Sequence, residues 1–389
     1  MKLLKNIKKT FIDMDKTLFF VSLALIVFGT LNIVTASSRE AVVNLDSNIF
    51  YYFIRHMIIL FISTIAFLII LQYDTKEYKK YIPFIYFLIL GLNIYLILKG
   101  VTHRGASNWI NLKFFKFQPS EAAKPVLIVM LAVMFEAYYK KLKNVNERHD
   151  LIIWRILGYG LIIPIIVFLQ KDLGTAVILA GIFMVMFLSS PISAKEKAKS
   201  LLIVGVIGLI GLIIMSSITG YVLSKSQKSR LDFYNPCSKY EGTGYQICNA
   251  FIAINNGGLT GVGIGKSTQK YSYIPEPHTD MVFSIIAEEY GVIGCSFIFL
   301  AYIIILYRII KLSMKTKNLK NRYICLGVAT YIFLHIFINL GGLFGLIPLT
   351  GVPLPFLSYG GSFTLSLISS LALIQKIHIE YKNEHIKIK

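Results

Sequence analysis

Residues 275–289 read PEPHTDMVFSIIAEE, where a polar loop bracketed by prolines turns into an apolar segment. Asp280 stands at this junction, and Glu288 and Glu289 follow inside the apolar segment. A helix rises 1.5 Å per residue, so the two glutamates would lie roughly 12–13.5 Å beyond Asp280. Ionisable groups inside a membrane are costly and usually mark a site or a buried partner.

The composition predicts that this apolar segment is one of many membrane spans. The chain has 389 residues, of which 55% are hydrophobic and 15% charged, and its mean hydropathy is +0.65. A soluble domain carries about 25% charged residues. We predict an all-α polytopic membrane protein forming a single domain over 1–389, with ten spans long enough to cross about 30 Å of hydrocarbon. The predicted spans are 17–36, 51–73, 81–99, 120–138, 152–170, 173–192, 201–223, 281–307, 323–346 and 355–375.

The distribution of lysine and arginine predicts the orientation. If residues 1–16 and 376–389 both lie inside, the inside segments hold 25 of the 40 basic residues and the outside segments hold 12. This positive-inside bias places both termini in the cytoplasm, and it places the long loop 224–280 outside. The net charge of +20 sits in short loops rather than on one domain, which argues against nucleic-acid binding.

Unusual polar residues collect in the predicted outside loops. Gln118, Pro119 and Ser120 suggest a helix start capped by Ser120. Glu121 and Lys124 are three residues apart, on one helix face, and would form an ion pair that serves either packing or a site. Trp109 suits an interfacial aromatic as well as a site residue. Asp172 is well placed to cap the sixth span.

A glycine-rich stretch in the long loop reads GVGIGKSTQK over 261–270. Lys266 and Lys270 flank glycines whose backbone could approach a phosphate, but the pattern is neither a Walker motif nor a dinucleotide fingerprint. The apolar run 247–254 predicts a short amphipathic helix on the outer leaflet. Residues 339–362, rich in proline and glycine, predict broken helices that line a polar cavity open to the outside.

The four cysteines divide into two pairs. Cys295 and Cys325 lie in predicted spans and are expected to be packing residues. Cys237 and Cys248 lie in the outside loop, where oxidising conditions would permit a disulfide. The sequence alone does not decide between a disulfide and two thiols.

At these clusters the chain resembles the SEDS family (shape, elongation, division and sporulation), which includes FtsW and RodA. The resemblance covers about residues 15–376 and rests on motifs in family order. They are RGASNWI, FQPSEAAK, QKDLGTA, GYQ, AINNGG, GVGIGKSTQK, PEPHTDMVFSIIAEEYGVIG and GLIPLTGVPLPFLSYGGS.

The resemblance implies an enzyme that polymerises lipid II into peptidoglycan glycan strands and works with a class B penicillin-binding protein. It maps the essential acid of the family onto Asp280. The stretch from GVGIGKSTQK to PHTD favours the FtsW branch, for cell division, over RodA-type elongation.

The resemblance and the chemistry together define a candidate site. Asp280 would be the general base for the attacking sugar hydroxyl of an inverting transfer. The alternative role for Asp280 is to cap the N-terminus of the eighth span. Helix-end N–H groups would lower the pKa of its carboxyl, whereas apolar surroundings would raise it. Cations would stabilise the departing pyrophosphate. The other predicted substrate-binding residues are Trp109, Arg104, Lys124, Glu121, Arg230, Lys266, Lys270, His278 and Ser358.

No cofactor is required by this scheme, although Mg²⁺ or Mn²⁺ could share the charge. Glu288 and Glu289 are expected to pair with Lys124 or another buried cation. Two other functions stay open at this stage. One is a lipid II flippase, suggested by the many spans and broken helices, and the other is a scaffold that recruits the transpeptidase.

Overall fold

Eleven α-helices of 16 to 34 residues and one small sheet account for most of the residues that the computed structural model describes. The described residues are 10–99, 101–103, 106–112, 115–142, 149–219, 233, 235–238, 242–271 and 274–388. The helices are α1 (Lys16–Arg39), α2 (Tyr51–Gln72), α3 (Tyr78–Lys99), α4 (Pro119–Lys141), α5 (His149–Leu169), α6 (Leu173–Leu188), α7 (Ala194–Thr219), α8 (Gly242–Gly257), α9 (Val282–Lys315), α10 (Leu319–Leu343) and α11 (Gly361–Ile388).

The polytopic helical architecture predicted from composition is confirmed. Eight helices in the described part of the chain are long and apolar enough to cross a membrane: α1 to α5 and α9 to α11. Helix α6 is apolar but has only 16 residues, and α7 does not belong to the eight. The predicted count of ten spans therefore stays a prediction.

Helices α10 and α11 form the centre of the bundle. Their apolar stretches are 72% and 83% buried, whereas that of α2 is 22% buried. A peripheral helix of a membrane protein exposes apolar side chains to lipid, while polar side chains collect inside the bundle. The polar groups on α10 and α11 therefore lie inside the bundle, where a site can form.

The predicted outside loop between α3 and α4 is not simply irregular. It contains three antiparallel strands, β1 (Val101–His103), β2 (Ala106–Leu112) and β3 (Phe115–Phe117), in the order β1-β2-β3. Val101 pairs with Trp109, and Asn111 pairs with Lys116. The expectation of a purely helical chain missed this sheet.

Helix α9 is interrupted at Gly291, whose backbone has φ 66° and ψ −170°. The interruption frees carbonyls that the glycine-rich loop then satisfies. The N–H groups of Val262 and Gly263 donate to the carbonyls of Glu288 and Glu289 at 2.9 and 3.1 Å. On the other side of the break, Val292 N donates to the carbonyl of residue 258 at 3.0 Å. A break at membrane depth is tolerated because protein groups pair the freed backbone.

At three glycines the glycine-rich loop and α9 come so close that a Cβ would clash with the facing backbone. A Cβ on Gly257 would lie 2.0 Å from the carbonyl oxygen of Ala287, and one on Gly261 would lie 2.2 Å from that of Glu289. A Cβ on Gly291 would lie 2.4 Å from the backbone nitrogen of Gly261. Gly261 and Gly291 also have positive φ, which other residues rarely adopt. The glycine-rich loop thus clips the long loop onto α9.

A disulfide joins Cys237 to Cys248, with a Cα–Cα distance of 4.9 Å. It ties the short 3₁₀ turn Pro236–Ser238 to α8. Of the two outcomes that the sequence left open, the structure has the crosslink. Cys295 and Cys325 are buried and unpaired, as expected.

Candidate active site

Asp280 lies in the turn before α9 and is held from three sides. Thr279 Oγ1 donates to its carboxylate Oδ1 at 3.0 Å. Asn339 Nδ2, on the central helix α10, donates to its backbone carbonyl at 2.7 Å. The Cβ that Gly351 lacks would lie 3.7 Å from Oδ2, so this glycine (φ 73°) brings bare backbone close to the carboxylate. The carboxylate is half-buried and stands at one end of the bundle.

The competing explanation of Asp280 as an N-cap is wrong. Helix α9 begins at Val282, with Met281 at the N-cap position and no side-chain capping bond. The next polar side chain, Ser284, donates back to the carbonyl of Met281 at 2.7 Å. Asp280 therefore does not cap the helix.

Asn339 also joins Asp280 to the proline-rich loop between α10 and α11. The same amide nitrogen donates to the carbonyl of Val352 at 2.7 Å. Asn339 is 2% exposed. One buried amide thus sets the position of the Asp280 backbone relative to residues 350–352. Sequence analysis did not select Asn339, although a polar residue inside an apolar span was a signal.

The predicted ion pair on α4 forms. Lys124 Nζ lies 2.6 Å from Glu121 Oε1. It also lies 3.0 Å from His335 Nε2 on α10. His335 Nδ1 lies 3.0 Å from the carbonyl of Pro353, which can only accept, so Nδ1 carries the proton and Nε2 faces the ammonium as an acceptor. This triad links α4, α10 and the proline-rich loop.

The triad is too deeply buried to serve as an open substrate subsite. Lys124 is 0% exposed and Glu121 is 3% exposed. A buried charge pair is costly to desolvate, and removing one partner leaves the other charge uncompensated. Between packing and direct substrate contact, the structure favours packing of α4 against α10.

Asp172 connects the sheet to the same region. Its Oδ1 accepts the backbone N–H of Thr175 at 3.1 Å, which confirms the predicted N-cap of α6. Its Oδ2 accepts amide protons from Asn108 and Gln118, both at 2.7 Å. Asp172 therefore ties the strand that carries Trp109, and the start of α4, to the start of α6.

The start of α6 in turn contacts the proline-rich loop. A Cβ on Gly174 would lie 3.0 Å from Thr350 Cβ and 2.8 Å from a methyl group of Val352. Gly351, between these two residues, is the neighbour of Asp280 described above. The polar clusters that are distant in sequence thus converge at one end of the bundle, as the predicted outside site required.

The start of α4 differs in detail from the prediction. The helix begins at Pro119, with Gln118 at the N-cap position and no side-chain capping bond. Ser120 is inside the helix and is not the cap. A proline at the first helical position needs no N–H partner and has the right φ, which explains why the start does not depend on Ser120.

Glu288 and Glu289 are structural, as expected. Glu288 accepts hydrogen bonds from the Ser267 hydroxyl, from Thr268 Oγ1 at 3.0 Å and from Gln269 N at 3.3 Å. Glu289 Oε1 pairs with Lys270 Nζ at 2.9 Å. The buried cation is thus Lys270 rather than Lys124, and the two acids hold the glycine-rich loop against α9.

This assignment corrects the prediction of a phosphate cradle. Lys270 is 4% exposed and also donates to the carbonyl of Gly265 at 2.6 Å. The amides of Val262 and Gly263 are used by α9. Lys266, in contrast, is exposed and remains available to an anion.

Two further predicted substrate contacts are engaged within the protein. Ser358 is 3% exposed, and its hydroxyl accepts the N–H of Leu354 at 2.8 Å. His278 is 2% exposed; its ring centroid lies 4.3 Å from that of Tyr52, and its Nδ1 lies 3.5 Å from Glu40 Oε2. Both side chains are buried and stabilise the loops beside Asp280.

Glu40 is a partner that sequence analysis did not identify. It lies in the π-helical turn Glu40–Asn44 at the end of α1, and its Oε1 accepts from Tyr52 Oη at 3.2 Å. Tyr359 completes the cluster by donating its N–H to the carbonyl of His278 at 2.8 Å.

The remaining predicted residues are placed as follows. Trp109 is half-buried on β2. Arg104 and Arg230 lie outside the described residues. Within the described ranges, no group of three or more His, Cys, Asp or Glu side chains could hold a metal ion.

Comparison with known proteins agrees with this arrangement. The sequence model of the FTSW_RODA_SPOVE family, described as "Cell cycle protein", matches residues 15–383. The chain belongs to the FtsW/RodA/SpoVE family. The match spans every helix from α1 to α10 and includes Asp280, Lys124 and Asn339.

Similar family members come from diverse bacteria. Stage V sporulation protein E of Bacillus subtilis (strain 168) is 30% identical over 368 residues, which cover 93% of this chain and 96% of that protein. The "Probable peptidoglycan glycosyltransferase FtsW" of Haemophilus influenzae (strain ATCC 51907 / DSM 11121 / KW20 / Rd) is 31% identical over 405 residues, covering 100% of this chain and 98% of that one.

Two solved structures share the fold of this family member. One is described as "Structural coordination of polymerization and crosslinking by a peptidoglycan synthase complex"; it has a TM-score of 0.71 at 22% identity and covers 95% of this chain and 98% of that chain. The crystal structure of the rod shape determining protein RodA from Thermus thermophilus has a TM-score of 0.66 at 22% identity, covering 94% and 96%. Together they confirm the predicted SEDS fold.

Proposed function

We propose that this protein is a peptidoglycan glycosyltransferase that polymerises lipid II on the outer face of the plasma membrane, with both termini in the cytoplasm. The similarity to FtsW and SpoVE proteins supports this activity and favours a role in division. The observation that carries the proposal is the half-buried carboxylate of Asp280, fixed by Asn339 and the Gly351 backbone at one end of the bundle.

Asp280 would act as the general base. The 4-hydroxyl of the acceptor sugar attacks C1 of the donor MurNAc as Asp280 takes the hydroxyl proton. The C1–oxygen bond to the undecaprenyl pyrophosphate breaks, and the electron pair leaves with the pyrophosphate. Inversion at C1 follows from this single displacement. Positioned proton transfer contributes about 10²- to 10⁴-fold to the rate.

Lys266 would stabilise the developing negative charge, because it is exposed on the glycine-rich loop and can contact the leaving pyrophosphate. Lys124 is buried and paired with Glu121, so it would contribute by holding α4 against α10 rather than by contact. The half-buried indole of Trp109 offers a face for a sugar ring.

The same comparison supports a membrane partner. The structural neighbour described as a peptidoglycan synthase complex coordinates polymerisation with crosslinking. We expect this chain likewise to work with a class B penicillin-binding protein that supplies the transpeptidase.

The experiment that tests this activity uses the purified protein in lipid vesicles, with and without its transpeptidase partner. Fluorescent lipid II is added to the vesicles, and glycan strands are resolved by gel electrophoresis. Strand formation is the expected result. Movement of labelled lipid II across the bilayer without strand formation would instead identify a flippase. If the protein neither polymerised nor translocated lipid II in the presence of the partner, the result would favour a scaffold.

A further inference from the structure

A cationic cavity lies at the opposite end of α9 from Asp280. Its volume is about 110 Å³, several times the roughly 10–15 Å³ that one water needs on the same measure. Helices α1, α9 and α11 all contribute to its wall. The lining residues are Asp15, Arg308, Lys311, Leu312, Lys315, His378 and Tyr381.

The single acid of this cavity is already neutralised. Asp15 Oδ1 caps α1 by accepting from Leu18 N at 3.1 Å. Its Oδ2 accepts from Arg308 Nη2 at 2.6 Å and from Arg308 Nε at 2.8 Å. The Asp15 backbone is in turn held by Gln375 of α11, whose Oε1 accepts from Asp15 N at 2.8 Å. The wall is therefore fixed, and the positive charge of Lys311 and Lys315 is not offset by it.

Lys311 and Lys315 are one helical turn apart and border the cavity. Lys315 is exposed and forms no ion pair or hydrogen bond with any part of the chain that the structure describes. Lys311 Nζ donates to Tyr307 Oη at 3.2 Å, a neutral partner. Both ammonium groups retain donors for an anionic ligand.

An apolar stripe on α9 leads directly to these lysines. Ile303, Tyr307, Ile310 and Met314 are 62%, 56%, 44% and 68% exposed, and their spacing of three and four residues puts them on one face. In a membrane this face contacts acyl chains. The Tyr307–Lys311 hydrogen bond joins the stripe to the cavity.

We propose that this cavity binds the phosphate of an anionic glycerophospholipid whose acyl chain lies along the stripe of Ile303, Tyr307, Ile310 and Met314. Basic pockets between transmembrane helices are suited to lipid phosphates. Topological bias and the helix dipole account for cations near this helix end. These two effects do not explain why the lysines border a cavity, why its acid is already paired with Arg308, or why an apolar stripe leads to it. In the proposed orientation the site lies in the inner leaflet.

The test measures lipid retention by the full-length, delipidated protein in detergent with native mass spectrometry. The probes are phosphatidylglycerol, phosphatidylcholine and sn-glycerol 1-phosphate. Wild type should bind phosphatidylglycerol in preference to the other two. Each lysine near an anionic lipid contributes about a fivefold factor, so the double variant Lys311→Gln/Lys315→Gln should bind phosphatidylglycerol about 25-fold more weakly.

The matched control is Lys195→Gln/Lys199→Gln, which removes the same charge from exposed positions at the start of α7. Binding by this control should equal wild type. Equal weakening of both double variants would show diffuse attraction and overturn the proposal. Equal binding of sn-glycerol 1-phosphate and phosphatidylglycerol by wild type would overturn the lipid as the occupant.

A second measurement needs no variant. Phosphatidylglycerol with a photoreactive group in its acyl chain is irradiated with wild-type protein, and labelled peptides are identified by mass spectrometry. Labelling of the α9 segment 303–314 is expected. Labelling confined to other helices would contradict the proposed acyl path.

Discussion

The side-chain amide of Asn339 donates a hydrogen bond of 2.7 Å to the backbone carbonyl of Asp280. The same amide nitrogen donates to the carbonyl of Val352 at 2.7 Å. Asn339, on the central helix α10, therefore fixes the backbone of Asp280 and, through it, the position of the Asp280 carboxylate. In the proposed reaction Asn339 is a positioning residue, since it touches the base and not the substrate.

Replacement of Asn339 should therefore impair turnover more than binding. We expect Asn339→Leu to lower kcat by about 10- to 100-fold, because small displacements of a reacting group are costly, and to leave KM for lipid II nearly unchanged. The control is Asn249→Ala, whose buried amide donates only to the carbonyl of Tyr245 on its own helix. A parallel change in KM, or equal losses in both variants, would count against positioning.

The buried pair of Glu121 and Lys124 gives a stability prediction. Lys124→Met leaves a buried carboxylate without its cation and should lower the free energy of unfolding by about 3–5 kcal/mol. Adding Glu121→Gln removes that charge and should restore much of the loss. The exposed pair of Lys140 and Glu136 is the control; Lys140→Met should cost less than about 1 kcal/mol. Reversible unfolding in mixed detergent compares the three variants with wild type, and a double variant no more stable than Lys124→Met would refute the pairing.

The clip between the glycine-rich loop and α9 predicts opposite effects for two glycines. Gly261→Ala places a Cβ 2.2 Å from a carbonyl oxygen at a residue with φ 81° and should destabilise the protein by more than about 1 kcal/mol. Gly208 lies in α7 with nothing within 4 Å of its virtual Cβ. Gly208→Ala should be neutral or stabilising by up to about 1 kcal/mol. Thermal unfolding distinguishes them, and similar melting temperatures would argue against the clip.

The loop before α3 predicts a dependence of stability on pH. The hydrogen bond from Lys376 lowers the pKa of Asp74, against a smaller opposing effect of burial. A lowered carboxyl pKa gives stability that is full above the unfolded value of about 3.8 and is lost as the pH falls through the folded value. The difference in melting temperature between wild type and Asp74→Asn should therefore be constant at neutral pH and shrink below about pH 4. A difference that grows in acid would contradict the assignment.

The sequence predicted the helical membrane architecture and the buried roles of Glu288 and Glu289, because hydropathy and the cost of buried charge act on the chain locally. It also anticipated the Glu121–Lys124 pair from helical spacing. It did not anticipate that Lys270 would be the partner of Glu289, or that His335 would face Lys124. These pairs join residues that are distant in the chain, and their choice depends on how helices pack.

The glycine-rich loop shows a second limit. In the sequence, its glycines and lysines are compatible both with a phosphate cradle and with a loop docked on a helix. In the structure α9 is interrupted at Gly291, and the N–H groups of the loop pair with the carbonyls freed there. Similarly, Ser358 and His278 belong to motifs beside Asp280 but are engaged by Leu354 and Tyr52. A motif identifies the region of a site, whereas burial decides which of its side chains can reach a ligand.

The role of Asp280 as general base is tested most directly by the rate at which Asp280→Asn polymerises lipid II. This rate is compared with that of wild type in the presence of the transpeptidase partner. Asp46→Asn is the matched control, because Asp46 is an exposed acid at φ 46°, a conformation that asparagine also adopts. We expect a loss of about 10²- to 10⁴-fold for Asp280→Asn, with lipid II still bound and Asp46→Asn unaffected. Polymerisation by Asp280→Asn at the wild-type rate would contradict this role.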